Sequence, residues 1–380
     1  MQTLELLDRL VAFPSVSRDS NLDLIKFVSD FLKARSAAVL LFKSADGQKA
    51  NLFATVGPRD RAGILLSGHT DVVPVEGQPW SRAPFTLTTG PGAFYGRGTA
   101  DMKGFVACAL TAMDRAARFP LRSPLHLALS YDEEIGCVGV RSLIQDMKSW
   151  TWRPTLCVVG EPTNMRVAVG HKGKTALKVK CSGQAAHSAL APNGVNAIHL
   201  ASDLVQRVRA MQNAVEASGA REAGYDIPYS TIHVGRIQGG TALNIVPDLC
   251  ELEVEIRHIA HDDPAYLVEQ IRGYAAEIER QARRPNAAAG ITIEITNDYP
   301  GLNTSETSSA VSFVNALTGN RQNIRVAFGS EAGLFDGVGI PTVLCGPGSI
   351  AQAHRADEYV TEDQLARCEA MMERLLQGLR

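Results

Sequence analysis

The run AGILLSGHTD, residues 62–71, decides how this chain folds. A short apolar stretch, too brief for a helix, ends on His69 and Asp71. Three others share its form: LHLALSYDEE at 125–134, TLCVVGEP at 155–162 and TVLCGPG at 342–348. Uninterrupted apolar runs of this length, bounded by turns, predict strands buried on both faces. They alternate with helical patterns: LELLDRLVAF at 4–13, LDLIKFVSDFLKAR at 22–35 and MKGFVACALTAMDRAARF at 102–119. The alternation predicts an α/β domain with a mainly parallel sheet.

The texture changes near Lys174. TALKVKCSG, STIHVGRI and CELEVEIRH alternate apolar and polar residues, as half-buried strands do. Helices are expected near Ala197 to Met211 and around Pro264 to Arg284. RRPNAAAG (283–290) then reads as a linker, after which ITIEI, IRVAF and IPTVLCG resume the α/β pattern. The expected layout is an α/β domain over 1–173 and 286–380, interrupted by an inserted α+β domain over 174–285. A chain of 380 residues suits two such units.

Composition narrows the function classes. Apolar residues at 45% and charged residues at 21% are globular proportions. Thirty-eight basic against forty acidic residues give a formal charge of −2, so no basic excess points to nucleic acid or to an anionic membrane. A small-molecule partner is expected. The start, MQTLELLDRLVAF, places Glu5 and Asp8 where a signal peptide would carry basic charge and an apolar run. No apolar stretch of about 18 residues follows. Seven scattered cysteines without a CxxC pair read as buried thiols, and the expected compartment is the cytoplasm.

The chemistry gathers at the strand ends. His69 and Asp71 follow ILLSG, Glu133 and Glu134 follow LHLALSYD, Glu161 follows LCVVG, and His354 lies shortly after TVLCGPG. Ligands of open α/β sheets bind at the carboxyl edge of the strands, so these side chains converge. Asp101 joins them from YGRGTADMKG, where Gly96, Gly98 and Gly104 leave the backbone free to bend. That stretch fits neither nucleotide-binding glycine pattern. Taken singly, HTD reads as a hydrogen-bonded turn, Glu133-Glu134 as a solvated helix start, Glu161 as a turn residue and His354 as a surface histidine. Together they read as a site. Imidazole and carboxylate without cysteine suit a catalytic zinc or cobalt. Two divalent ions balance Asp101, Glu134, Glu161 and one hydroxide; a single ion would leave excess negative charge.

SGHTDVVP, YGRGTADMKG, DEE, VGEPT and AHRADE resemble the dinuclear-zinc aminoacylase and carboxypeptidase superfamily. Within it the chain looks most like the acetylornithine deacetylase branch, with the succinyl-diaminopimelate desuccinylase branch next. The resemblance spans nearly the whole chain, including GGTALNIVPD and EIR. It implies one metal on His69, Asp101 and Glu161 and a second on Asp101, Glu134 and His354. It also implies Asp71 orienting His69, Glu133 as general base, and His187 of GQAAHSALAP as a lid histidine reaching a partner subunit in a homodimer. Asn244 and Arg257 would hold the substrate carboxylate. The implied reaction is hydrolysis of an N-acyl amino acid, N2-acetylornithine first, with desuccinylase, aminoacylase, dipeptidase and an inactive binding relative as alternatives. In FGSEAGLF, Glu331 follows an expected strand and faces the same edge. It is expected either to read the ornithine ammonium or to serve as a structural glutamate.

Overall fold

The computed structural model describes residues 2–283 and 289–380. The chain divides into two units. The first comprises the chain up to His171, Leu302–Val326 and Ser330–Arg380; the second comprises Lys172–Gly301 and Ala327–Gly329.

The four apolar runs are the four adjacent parallel strands of the first unit. Leu125–Ser130, Ile64–His69, Leu156–Pro162 and Thr342–Gly346 stand side by side in that order, every residue buried. Antiparallel strands extend the sheet on both sides. Ala50–Val56 and Ala38–Lys43 flank Leu125–Ser130, and Ala168–His171 and Leu302–Asn303 lie beyond Thr342–Gly346. The result is a mixed sheet with a parallel centre.

Helices cover it for reasons visible in their residues. Thr3–Val11 buries Leu6, Leu7, Leu10 and Val11, one stripe of a helical repeat. Gly104–Ala116 buries all but one of its residues, because Ala107, Cys108, Ala109 and Ala112 let neighbouring elements approach closely. Glu362–Leu379 packs Leu365, Met371, Met372 and Leu375 into the same core, and its first turn is capped by the Thr361 hydroxyl, which accepts from the Gln364 amide.

The second unit is a four-stranded antiparallel sheet in the order Thr231–Gly239, Leu249–His258, Gly173–Ser182, Gly290–Tyr299. Helices Ala197–Ser218 and Pro264–Arg283 contribute Leu200, Leu204, Val208 and Ile271 to a core with Leu177, Val179, Leu252, Val254 and Ile256. Here the expected boundary needs correction. ITIEI belongs to the fourth strand of this antiparallel sheet, not to the resumed α/β pattern, so the unit runs to Gly301 rather than to 285. The physical reason lies in the alternation: Ile291 is buried and Ile293 packs against the same core, while Thr292 and Glu294 between and after them are exposed. IRVAF is shorter than expected, with only Ile324–Val326 in the strand. The end of the helix expected to reach 284, and residues 284–288 of the expected linker, lie outside the described residues. Among the described residues no helix is long and apolar enough to cross a membrane.

Candidate metal centre

His69 ends its strand, Glu161 is the sixth residue of the strand Leu156–Pro162, and Glu133 and Glu134 follow Leu125–Ser130. The two strand-borne residues are held by sheet hydrogen bonds. Asp101 and His354 arrive on loops. Gly98, at a φ of 84°, starts the turn that leads to Asp101, and His354 itself takes a φ of 60°. Left-handed backbone is costly for a histidine and persists only where its surroundings enforce it.

Two groups of three result. Ligand atoms of His69, Asp101 and Glu161 lie within 4.8 Å of one another, and so do those of Asp101, Glu134 and His354. Asp101 is common to both: His69 Nε2 is 3.0 Å from its Oδ1, and His354 Nε2 is 3.2 Å from its Oδ2. Glu134 lies 3.1 Å from the same His354 nitrogen. His69 Nδ1 is 2.9 Å from the carbonyl oxygen of Asp71, which can only accept. A proton therefore sits on Nδ1, and Nε2, which faces Asp101, is the nitrogen that could ligate an ion once it gives up its own proton.

The electrostatics describe a cation site. Burial pushes Glu133 up to about 8 and Glu134 to about 7, and neighbouring carboxylates add to the rise. Burial, then Asp101 and Glu133, raise Glu161 well above its usual range, and its Oε1 is a buried oxygen without a hydrogen-bond partner. Hydrogen bonds to Asp101 and Glu134 lift His354 to about 10. Burial alone would raise Asp101, but the hydrogen bonds from His354 and His69 win and hold it low. Packed carboxylates with an orphaned oxygen, and imidazoles that hold protons as substitute cations, fit divalent metal ions.

Asp71 meets His69 through its backbone carbonyl, and its carboxylate bonds elsewhere. The carboxylate stands 3.7 Å from His69 Nδ1, beyond hydrogen-bond reach. Instead it accepts from the amides of Glu133 at 3.1 Å and Glu134 at 3.2 Å, and from the Ser17 hydroxyl at 2.7 Å. Asp71 thus contacts His69 through its backbone and the Glu133-Glu134 pair through its side chain. The Glu133 carboxylate accepts from the Cys137 thiol at 3.2 Å. Ser17 escaped the sequence reading because nothing local marks it; its partner is 54 residues away.

Glu331 does not present itself to a substrate. Its side chain is 1% exposed, and its oxygens accept from the Ser67 hydroxyl at 2.6 Å and the Ser130 hydroxyl at 2.7 Å. These bonds favour the structural alternative over reading a substrate ammonium: Glu331 bridges two adjacent parallel strands through Ser67 and Ser130. His187, Asn244 and Arg257 belong to the second unit. His187 is exposed and its Nδ1 accepts from the Ala189 amide, while the Asn244 carbonyl accepts from the Ser188 amide. His187 and Asn244 are thus neighbours. Arg257 is already engaged, with Nε and Nη2 on Glu255 and Nη1 on the Tyr299 hydroxyl.

Comparison with known proteins agrees with this architecture. Residues 65–378 match Peptidase family M20/M25/M40. The chain belongs to that family and is a metal-dependent hydrolase. It is 34% identical to an acetylornithine deacetylase of Myxococcus xanthus over 97% of this chain and 95% of that one. It is 32% identical to an acetylornithine deacetylase of Shigella sonnei over 94% and 92%. Its fold is shared with an M20 family metallo-carboxypeptidase from Sulfolobus solfataricus, with a TM-score of 0.78 at 18% identity over 99% of both chains. A dinuclear metal binding peptidase of the M20 family from Bacillus subtilis aligns with a TM-score of 0.69 at 14% identity over 99% and 97%.

Proposed function

We propose that this chain is a two-metal amidohydrolase that removes the acetyl group from N2-acetyl-L-ornithine, releasing ornithine and acetate. The observation that carries the two-metal reading is the pair of three-ligand groups sharing Asp101. His69, Asp101 and Glu161 would hold one ion, and Asp101, Glu134 and His354 the other, with zinc the first choice and cobalt the second. When bound, the ions polarise the amide carbonyl and make water acidic enough to attack near neutral pH.

The chain's own residues supply the rest. Glu133 removes a proton from the attacking water and returns it to the amine nitrogen as the C–N bond breaks. Its burial, which disfavours the charged form, helps it hold the proton between the two steps. Asp71 fixes the Glu133 backbone so that the carboxylate meets the water in one geometry. The choice of acetylornithine rests on two relatives of that activity that align with nearly the whole chain.

The enzyme is proposed to act in the cytoplasm as a homodimer built through the second unit. Its outer strand Thr231–Gly239 leaves Ile237 53% exposed, and the following loop leaves Leu243 fully exposed and Ile245 43%. Apolar side chains beside an unpaired strand edge favour a second copy of the same surface. His187 and Asn244, adjacent to that loop, would then complete the partner's site, His187 by donating to the developing oxyanion. Arg257 would take the substrate carboxylate once Glu255 releases it.

The deciding experiment measures bound metal by elemental analysis together with acetate release from acetylornithine, acetylmethionine and acetylcitrulline, and succinate release from succinyl-diaminopimelate. Two ions per chain with fastest turnover of acetylornithine is the expected result. Two ions with faster succinate release would overturn the substrate, and full occupancy without hydrolysis of any of the four would overturn the enzyme.

A further inference from the structure

The motif AHRADE places Glu358 four residues after His354, yet the metal reading leaves that glutamate without a task. Its side chain is 1% exposed and accepts four hydrogen bonds. Oε2 takes the Arg97 guanidinium at 2.7 Å and the Gly98 amide at 3.0 Å; Oε1 takes the amides of Ala100 at 2.9 Å and Asp101 at 3.1 Å. One carboxylate thus gathers the whole turn 97–101 that presents Asp101. A concave row of backbone N–H groups closed by an arginine is a strong anion cradle, and here the anion is part of the same chain.

The link works in the other direction as well. Arg97, also 1% exposed, donates to the carbonyl of Arg355 at 3.3 Å and to the side-chain oxygen of Gln78. Gln78 in turn donates through Nε2 to the carbonyl of His354 at 3.1 Å. Asp357 accepts from the Ser81 amide at 3.1 Å and hydroxyl at 2.7 Å. His354 and Asp357 both have left-handed backbone, at φ of 60° and 55°, so the segment needs such restraints to hold its shape. The loops that carry Asp101 and His354 are therefore one mechanical piece with Glu358 at its joint.

We infer that Glu358 is a positioning residue that sets the separation of Asp101 from His354 and thereby selectively holds the second ion. The selectivity follows from where the ligands sit. His69 and Glu161 lie in strands and keep their places through sheet hydrogen bonds whatever the loops do. A loosened 97–101 turn shifts Asp101 in both groups, but the first keeps two strand-held ligands while the second also loses the register between Asp101 and His354, so the Asp101, Glu134 and His354 group weakens more. Moving a ligand by a fraction of an ångström is enough, because metal affinity falls about 10- to 100-fold when the groups that orient ligands are lost.

This inference rests on the two-metal reading, and zinc titration of the metal-free protein distinguishes the two. Wild type is expected to take up two zinc ions per chain. Glu358→Gln, which keeps the shape but weakens the acceptor, is expected to bind the second ion at least tenfold more weakly and to weaken the first by a smaller factor. Excess zinc should then restore kcat while KM for the acyl amino acid stays unchanged. Uptake of fewer than two ions by wild type would overturn the two-metal reading itself. With wild type at two, unchanged affinity at both sites in the variant, or equal weakening of both, would overturn the role of Glu358. The double variant Arg97→Gln/Glu358→Gln leaves neither buried charge unpaired and guards against a folding defect. It should show the same selective loss, and full recovery of the second site in it would also overturn the proposal.

Discussion

The metal centre of the first unit and the open sheet face of the second hold similar side chains in opposite electrostatic states. On the sheet face, Lys178 pairs with Glu251 at 3.1 Å, Arg236 with Glu253 at 3.0 Å, and Lys174 and Arg257 with Glu255 at 3.3 and 2.9 Å. Each carboxylate there has a cation and stays partly open to solvent. At the strand ends, Glu133, Glu134 and Glu161 crowd together in burial, with two histidines as the nearest positive charge. A carboxylate on the sheet face is satisfied by what the chain supplies. At the strand ends Glu134 has only His354, Glu133 only a thiol and one oxygen of Glu161 no partner, so that cluster is fully satisfied only by something added. The contrast separates a solvated charged surface from a metal site more sharply than a count of acidic residues could.

Removing a single proton acceptor from the strand-end cluster should have the largest effect. Glu133→Gln is expected to keep both ions and lose roughly two to four orders of magnitude in kcat, the usual worth of a general base. Loss of metal in that variant would mean that Glu133, not Glu134, is the ligand. Asp71→Asn should cost on the order of 10- to 100-fold in metal affinity or activity, because an amide cannot accept from both glutamate N–H groups as strongly as a carboxylate does. Retention of wild-type affinity and rate would show that the two backbone bonds are dispensable.

The same crowding predicts how the metal-free protein responds to pH. Glu133, Glu134 and His354 keep their protons in the folded state to about 8, 7 and 10, whereas the unfolded chain releases them near ordinary values. Between about pH 5 and 8 the native state therefore binds more protons, and its stability falls as pH rises. Melting temperature of the metal-free protein should drop over that range, and added zinc should raise it more at pH 8 than at pH 5. A metal-free melting temperature that rises with pH would break the account of the cluster.

Smaller effects test the paired regions. Glu331→Gln should lower turnover of acetylornithine and acetylmethionine by the same factor, since the carboxylate is buried between Ser67 and Ser130. A loss confined to acetylornithine would return Glu331 to the substrate. On the sheet face, Lys178→Met should change stability by less than about 1 kcal/mol, as exposed ion pairs contribute little. A larger change in thermal unfolding would mean that the face is covered rather than solvated.

Much of this molecule is local enough to read from residues alone. An apolar run buried on both faces needs no partner identified to be recognised, so the four parallel strands, and the ligands at their carboxyl ends, are legible in AGILLSGHTD and its three counterparts. The strand Gly290–Tyr299 was misplaced although its alternation is plain, because an interposed RRPNAAAG resembles a domain boundary. The remaining features depend on distance along the chain. Which side chain occupies Asp71, what buries Glu331 and what Glu358 grips involve partners 54 to 264 residues away. Residue type and periodicity thus determined the kinds of element and the chemistry at their ends. Only the tertiary structure decided which buried carboxylates brace the loops and which are left needing a cation, because burial and hydrogen-bond supply arise when distant segments pack.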